Sequence, residues 1–558
     1  MQYSFFLVIP NSEFAILAWK LSQENEGVLQ HNEENMPEDT LPRYDELYVI
    51  SDIHMGGKRG FQILKHGPRL GAFIEHIANV QPHQQVALVL NGDVIDSLAE
   101  DIEGYVAMGE APRMMQRIYD DPTFKPVWHG LASFLEKINR HLIIVIGNHD
   151  IELALPAVER SIRRRIAGDS YERSGRLHFA THGGGYACQV GDARVFCTHG
   201  NEVDDWNVVD YDRLGQLGNA LNAGRDPEAS KWEPNAGTRL VMRVMNDIKR
   251  DYPFVDLLKP ETKSVPGVLM ALDPGRVRKL KLNDAAYIVK DKIKGALVTR
   301  DLLSADSEDI DETADVQAAA EVAMDELLGA NLREVADVKH SRGGDRSAED
   351  LLLAVEEDFE AGKTALEVGQ SESQEGTLGV WQYVVDRFRG VPKEEALRKA
   401  LLDWLDNDET FDLATRDSTF DAITERTGPE VDFVVTGHTH LKRAIRIDGG
   451  DDRFYYNCGT WIRLIQFTKA VLNDANEFSK VYQALAAKSM AAIDDAKIPG
   501  ADGSPRDLVL DNTTAVHIAV NEGGVIGELL YVRGVDDGSP VTFEQVSGSE
   551  FFRRSAPQ

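Results

Sequence analysis

Five short segments of the chain end in side chains that bind metal ions: Asp52-Ile53-His54, Gly92-Asp93, Gly147-Asn148-His149-Asp150, His199-Gly200 and Gly437-His438-Thr439-His440. Each follows directly on a run of β-branched and apolar residues, so each is expected at the C-terminal end of a strand, where open α/β sheets hold their ligands. Carboxylate and amide oxygens with imidazole nitrogens, and no thiolate, suit hard-to-intermediate divalent cations. Asp52 and His54 can face one metal from a single loop if the chain turns after Asp52. Asp93 follows a glycine that lets the backbone come close, and its two oxygens can bridge two cations. Asn148 offers a neutral carbonyl oxygen, which adds a ligand without adding negative charge, and His199, His438 and His440 supply imidazoles. Two cations sharing one carboxylate sit about 3.5–4 Å apart, the spacing of two-metal hydrolytic sites. A water between them has its pKa lowered far enough to be a hydroxide nucleophile near neutral pH.

The elements that must hold these residues alternate in type. Strand patterns cover residues 47–51, 86–91, 142–146 and 194–198, with helical patterns between them at 71–80 and 126–139. This alternation predicts an α/β sheet protein. From about residue 205 strand signals nearly vanish and helical ones dominate, at 238–249, 316–328, 347–361 and 393–406. Charge is uneven there: residues 276–300 are basic, 301–360 strongly acidic, and 361–377 read as a flexible break. Strand patterns return at 432–436, 444–448 and 453–457, followed by a helical stretch at 475–496. Residues 515–520 and 527–532 predict a hairpin turning at Asn521-Glu522-Gly523-Gly524. The resulting division is an N-terminal flexible extension over 1–44, a catalytic first part over 45–204, a mostly helical insertion or cap over 205–427, a catalytic second part over 428–533 with a helical excursion at 469–512, and a tail over 534–558.

A length of 558 residues allows a large core and more than one domain or a large insertion. The net charge of −32 argues against nucleic acid as a bulk partner, since phosphate backbones need a positive footprint. Three distant cysteines, Cys188, Cys197 and Cys458, predict no disulfide framework and a reducing, cytoplasmic setting. Residues 1–21 are apolar in two pieces interrupted by Pro10 to Glu13 and lack a positive leading region, so they read as a loose extension, with a membrane-surface anchor as the alternative.

The ordered set D-x-H, G-D, G-N-H-D, H-G and G-H-T-H resembles the calcineurin-like metallophosphoesterases, over residues 45–204 and 428 to about 465. The resemblance implies a four-layer sandwich of two packed mixed β-sheets flanked by helices, here with a large helical insertion. It implies that Asp52, His54, Asp93 and His440 hold one metal and that Asp93, Asn148, His199 and His438 hold the other, with Asp93 as the bridge. It further implies that His149 stands beside the leaving-group oxygen as general acid or electrostatic stabiliser, oriented by Asp150. Asp150 can equally cap the turn that follows at Ile151. Asp96 reads as a helix-start residue, and Asn201, Glu202, Asp204 and Asp205 either touch the site or begin the insertion. The activity implied is hydrolysis of a phosphomonoester or phosphodiester in a small phosphorylated substrate. Its cofactors would be two divalent ions, Mn2+ foremost, with Fe, Zn or Ni fitting the same ligands. A nucleotide-linked pyrophosphatase similar to the UDP-diacylglucosamine hydrolases is the alternative, although those usually carry an arginine where this chain has His149. A catalytically silent scaffold of the same fold is a third reading, and such scaffolds typically lack a ligand that this chain retains. The insertion leaves the chain next to His199, so it can shape or cover the entrance.

Overall fold

A computed structural model describes residues 41–225, 227, 232–273, 391–405, 408–448, 452–500, 504–535 and 539–555. The chain divides into Met1–Pro42 and Arg43–Gln558, and every described element belongs to the second unit. Its strands are β1 (Arg43–Tyr44), β2 (Glu46–Ile50), β3 (Val86–Asn91), β4 (Arg140–Val145), β5 (Leu177–Ala180), β6 (Tyr186–Val190), β7 (Ala193–Cys197), β8 (Leu258–Lys259), β9 (Phe433–Thr436) and β10 (Arg443–Arg446). They continue with β11 (Phe454–Asn457), β12 (Leu464–Gln466), β13 (Lys497–Pro499), β14 (Pro505–Asp507), β15 (Val509–Leu510), β16 (Thr514–Asn521), β17 (Gly524–Arg533), β18 (Thr542–Gln545) and β19 (Phe551–Arg554).

Two sheets form the frame. The larger runs β18-β17-β16-β2-β3-β4-β5 with β19 also on β17, and the smaller runs β1-β6-β7-β9-β11-β10. In the larger sheet β2 to β5 are parallel, and in the smaller β7, β9 and β11 are parallel. Strands covered on both faces read as unbroken apolar runs, which is why β3 (VALVLN) and β9 (FVVT) are buried throughout. Alternate residues sort the two faces. Leu47, Val49, Val89 and Ile143 of the larger sheet meet Val195, Phe433, Val435 and Tyr456 of the smaller in a shared core. On the outer face Ile50, Leu88, Leu90 and Ile144 pack against α1 (Gly67–Asn79), α2 (Ala111–Asp120), α3 (Lys125–Glu136) and α4 (Pro156–Ala167). Across the smaller sheet Val434, Ile445 and Tyr455 pack against Phe420 and Ile423 of the helix Ser418–Arg426. The fold is therefore a four-layer α/β sandwich with helices on both outer faces.

The described part of the insertion is helical, with Tyr211–Asn222, Ala236–Leu240, Asn246–Asp251, Glu261–Leu272 and Lys393–Trp404. It does not stand apart from the excursion at 469–512. Tyr252, Phe254, Leu397 and Leu401 share one core with Ile465, Phe478, Val481 and Leu485. The strands β8 and β15 flank β12 in a three-stranded sheet that ties the two segments together. The basic stretch 276–300, the acidic stretch 301–360, the break 361–377 and nearly all of the extension 1–44 lie outside the described residues. Two boundaries differ from expectation. Arg43 and Tyr44 pair in parallel with Gln189 and Val190, so the smaller sheet begins inside the expected extension. Residues 534–558 are not a tail, because β18 and β19 both add antiparallel to β17. No helix among the described residues is long and apolar enough to cross a membrane.

Candidate metal centre

The C-terminal ends of five strands converge. Asp52 and His54 follow β2, Asp93 follows β3, and Asn148 and His149 follow β4, three neighbours in the larger sheet. His199 follows β7, and His438 and His440 follow β9, neighbours in the smaller sheet. The backbone turns sharply after β2, β3 and β9. Asp52, His54, Asp93, His438 and His440 take φ of 53°, 51°, 53°, 69° and 63°, a left-handed conformation that costs a non-glycine residue free energy and clusters at ligand sites. Gly92 stands before Asp93 with φ 86°, and a Cβ there would run into the His199 imidazole. Gly437 packs against Ser51 and Asp52, where a Cβ has no room.

Hydrogen bonds fix the turns. Asp52 Oδ2 accepts from the His438 amide at 3.0 Å and the Ser51 hydroxyl at 2.5 Å, joining the two sheets at the site. Asn457 Nδ2 donates to the Gly437 carbonyl at 2.6 Å. The His149 amide donates to Asp93 Oδ1 at 2.9 Å. His199 Nδ1 lies 2.8 Å from the Asn91 carbonyl, so it carries the proton and leaves Nε2 as the ligand atom.

The donor atoms then crowd one another. Ligand atoms of Asp52, His54, Asp93 and His440 all lie within 4.8 Å of each other. The closest separations are 3.2 Å between His54 Nε2 and His440 Nε2, 3.2 Å between His440 Nε2 and Asp52 Oδ1, and 3.6 Å between His54 Nε2 and Asp93 Oδ2. Two ligands each about 2.1 Å from one ion stand about 3–3.5 Å apart at tetrahedral or octahedral angles, and these separations are close to that spacing. His199 Nε2 lies 3.2 Å from the same Asp93 Oδ2, and the His199 and His438 rings are 5.4 Å apart. Asn148 Oδ1, His199 Nε2 and Asp52 Oδ1 are buried and make no hydrogen bond within the described residues. Buried polar atoms normally find partners, and oxygen and imidazole atoms orphaned together fit a divalent cation.

Charge agrees with that fit. Burial pushes Asp93 up, yet His199, His149 and His54 outweigh it and hold its carboxyl well below the usual range. Burial likewise opposes protonation of His199, which Asp93 and Asp52 nonetheless lift to about 10. Burial and the Lys259 charge push His440 down to about 4. The potential that keeps a proton on buried His199 is negative, and divalent cations displace such protons on binding.

Two side chains missed or left open by the sequence complete the centre. Asp96, read as a helix-start residue, does cap the turn Ser97–Ala99 through Ala99 N, but its Oδ1 also lies 3.2 Å from His149 Nδ1 and its Oδ2 3.6 Å from His54 Nδ1. Its spacing three residues beyond Asp93 was the available signal. The expected partner Asp150 does neither of its predicted jobs: its oxygens accept from the Val94 amide at 2.7 Å and the Gly147 amide at 2.6 Å, and it does not cap Ile151–Ala154. Its carboxylate is consumed in fixing the loop beneath Asn148 and His149. Asp204 Oδ2 lies 2.8 Å from His438 Nε2, which leaves Nδ1 as the nitrogen that can face a cation. Burial pushes the His149 imidazolium down, and Asp93 and Asp96 lift it to about 9.

Comparison with curated proteins and with solved structures returned no match. The profile of one family, calcineurin-like phosphoesterase, matches residues 46–249. That span holds four of the five ligand-bearing strand ends and runs past the expected boundary at residue 204 into the first helices of the insertion. Over residues 46–249, which hold Asp52, His54, Asp93, Asn148 and His199, the chain matches the calcineurin-like phosphoesterase domain.

Proposed function

We propose that this protein hydrolyses phosphoester bonds in small phosphorylated substrates with two divalent cations, Mn2+ foremost. Asp52, His54, Asp93 and His440 would hold one, and Asp93, Asn148, His199 and His438 the other. The observation that carries the reading is the convergence of donor atoms from five strand ends at coordination-shell spacing, several of them buried without hydrogen bonds. When bound, such cations offset phosphoryl charge and activate water as a nucleophile. The protein's own residues do the rest. Asp93 stands between the two ligand groups, its Oδ2 facing both His54 and His199. His149 sits 4.8 Å from the His54 ring, with Asp96 accepting from Nδ1. That pairing fixes the imidazole and leaves Nε2 to donate a proton to the departing oxygen. The left-handed turns hold the ligands in place before substrate arrives, so little reorganisation is needed during the reaction.

Turnover of bis-p-nitrophenyl phosphate and of p-nitrophenyl phosphate, with metal content measured on the same sample, tests this. Two Mn2+ per chain and turnover of either ester are expected, and a diester preference would mark a phosphodiesterase. Asp93→Ala is expected to abolish both metal binding and turnover. A folded sample that takes up at most one ion at saturating Mn2+ refutes the two-metal reading. Full loading with no turnover of any ester favours a binding scaffold.

A further inference from the structure

Beside His440 lies a shallow recess that is largely open to solvent. His440, which lines the recess, is also a member of the cluster of Asp52, His54, Asp93 and His440. Phe411 and Leu441 give it an apolar lining, and Asn512 adds a side-chain amide. Lys442, two residues beyond His440, also lines it and is half-buried. Among the described residues Lys442 makes no ion pair, and its Nζ lies 5.5 Å from the centre of the Tyr531 ring. The neighbouring cation Arg443 is committed elsewhere: it is buried, donates to the carbonyls of Thr410 and Asp412, and lies 3.4 Å from Asp417. No carboxylate lines this recess, in a chain whose net charge is −32. An ammonium withdrawn from water without a counterion is costly, and a carboxylate or phosphate oxygen arriving there would gain a charge-assisted hydrogen bond.

We infer that this recess is a substrate subsite, in which Lys442 receives a second anionic group of the substrate while the apolar portion between it and the scissile phosphoryl group lies against Phe411 and Leu441. The inference rests on the phosphoesterase reading above and adds a substrate class to it: phosphoesters carrying a further carboxylate or phosphate. Asn512 would supply a neutral donor to the same group.

Three p-nitrophenyl phosphodiesters whose second ester is butyl, 3-carboxypropyl or 3-phosphonopropyl share the scissile bond and the leaving group. Their kcat/KM values on the full chain with Mn2+ therefore read the subsite alone. The protein is expected to favour at least one anionic ester over the butyl ester by about fivefold or more, and the better of the two identifies the group. Lys442→Met, which keeps the stem and removes the charge, should bring that ratio to within about twofold of unity. Lys442→Arg should retain it. A starting ratio near one, or a ratio unmoved by Lys442→Met, overturns the inference. If none of the esters is turned over, the phosphoesterase reading fails by itself. Calorimetric titration of the same three esters into the unaltered protein and Lys442→Met then still decides the subsite through the ratio of Kd values.

Discussion

Three acidic residues near His149 look interchangeable in the sequence and are not in the fold. Asp93 faces the ligands, Asp96 meets His149 Nδ1, and Asp150 takes two backbone amides. Their variants should separate accordingly. His149→Ala is expected to keep its metals and lose about 10² to 10⁴ in turnover, the range of a general acid. Asp96→Asn should also keep the metals and the melting temperature, and lower turnover by about tenfold to a hundredfold through a misplaced imidazole. Asp150→Asn should do the reverse. Its amide would turn an N–H toward one of two buried donors, destabilising the loop by about 1–3 kcal/mol, so the melting temperature falls first. Steady-state kinetics, metal analysis and thermal melts on the three variants check this, and an Asp150→Asn protein of normal stability with crippled turnover would restore the role first expected of it. The ligand candidates were legible because each motif fixes residue type and order. Which carboxylate touches which imidazole was not, since that depends on the loop after β3 folding back on the loop after β4.

At the scale of elements, strands buried on both faces and the tight turn were legible. The hairpin of β16 and β17 pairs Asn521 with Gly524 around Glu522-Gly523, with Gly523 at φ 77° as such a turn requires. Strands β5 and β6 were missed because their half-buried residues break the apolar run. A polar cluster in the same hairpin gives an element-level prediction. His517 Nδ1 lies 3.1 Å from Glu528, and its Nε2 3.7 Å from Glu46, with Tyr48 stacked on its ring at 4.5 Å. Burial pushes His517 down, but the two carboxylates outweigh it and raise it above the ordinary histidine value. Glu46 is lowered against its own burial, and Glu528 is lowered chiefly by the hydrogen bond from His517. A raised imidazole contributes fully below its unfolded value and loses that contribution as pH rises through the folded one. Lowered carboxylates lose theirs as pH falls below about 4. His517→Gln should therefore cost most between about pH 5 and 6, about 2 kcal/mol, and progressively less above pH 7. Paired melts at pH 5.5 and pH 9 measure the difference, and an equal gap at both would show that the charge on His517 is irrelevant.

The whole molecule depends on two sheets staying in register, because each supplies part of the ligand set. Hydrogen bonds at the site itself, such as that from His438 N to Asp52, span the sheets at one end. Farther off, the C-terminal strands tie them together. Phe551 stacks on Phe454 with ring centres 4.8 Å apart, the Tyr456 hydroxyl donates to the Ser549 carbonyl at 2.9 Å, and Arg553 pairs with Asp192 at 2.7 Å and Asp432 at 2.9 Å. All four partners belong to the smaller sheet or its turns, whereas β18 and β19 are bonded to β17 of the larger. This clasp was illegible in the sequence: its strands are four residues each and half-exposed, so no periodicity marks them. Deleting residues 540–558 should strip β17 of β18 and β19, leaving it with β16 alone, and expose to solvent the edge they pair, which favours self-association. The melting temperature is expected to fall by about 5 °C or more, and Mn2+ affinity to fall with it, because Asp93 and His440 come from different sheets. Arg553→Ala isolates the ionic part and should cost less than the deletion. If the truncated chain melted and bound Mn2+ like the full one, the register of the two sheets would have to be set by their shared core and by bonds at the metal centre, such as those from His438 N to Asp52 and from His199 Nδ1 to the Asn91 carbonyl.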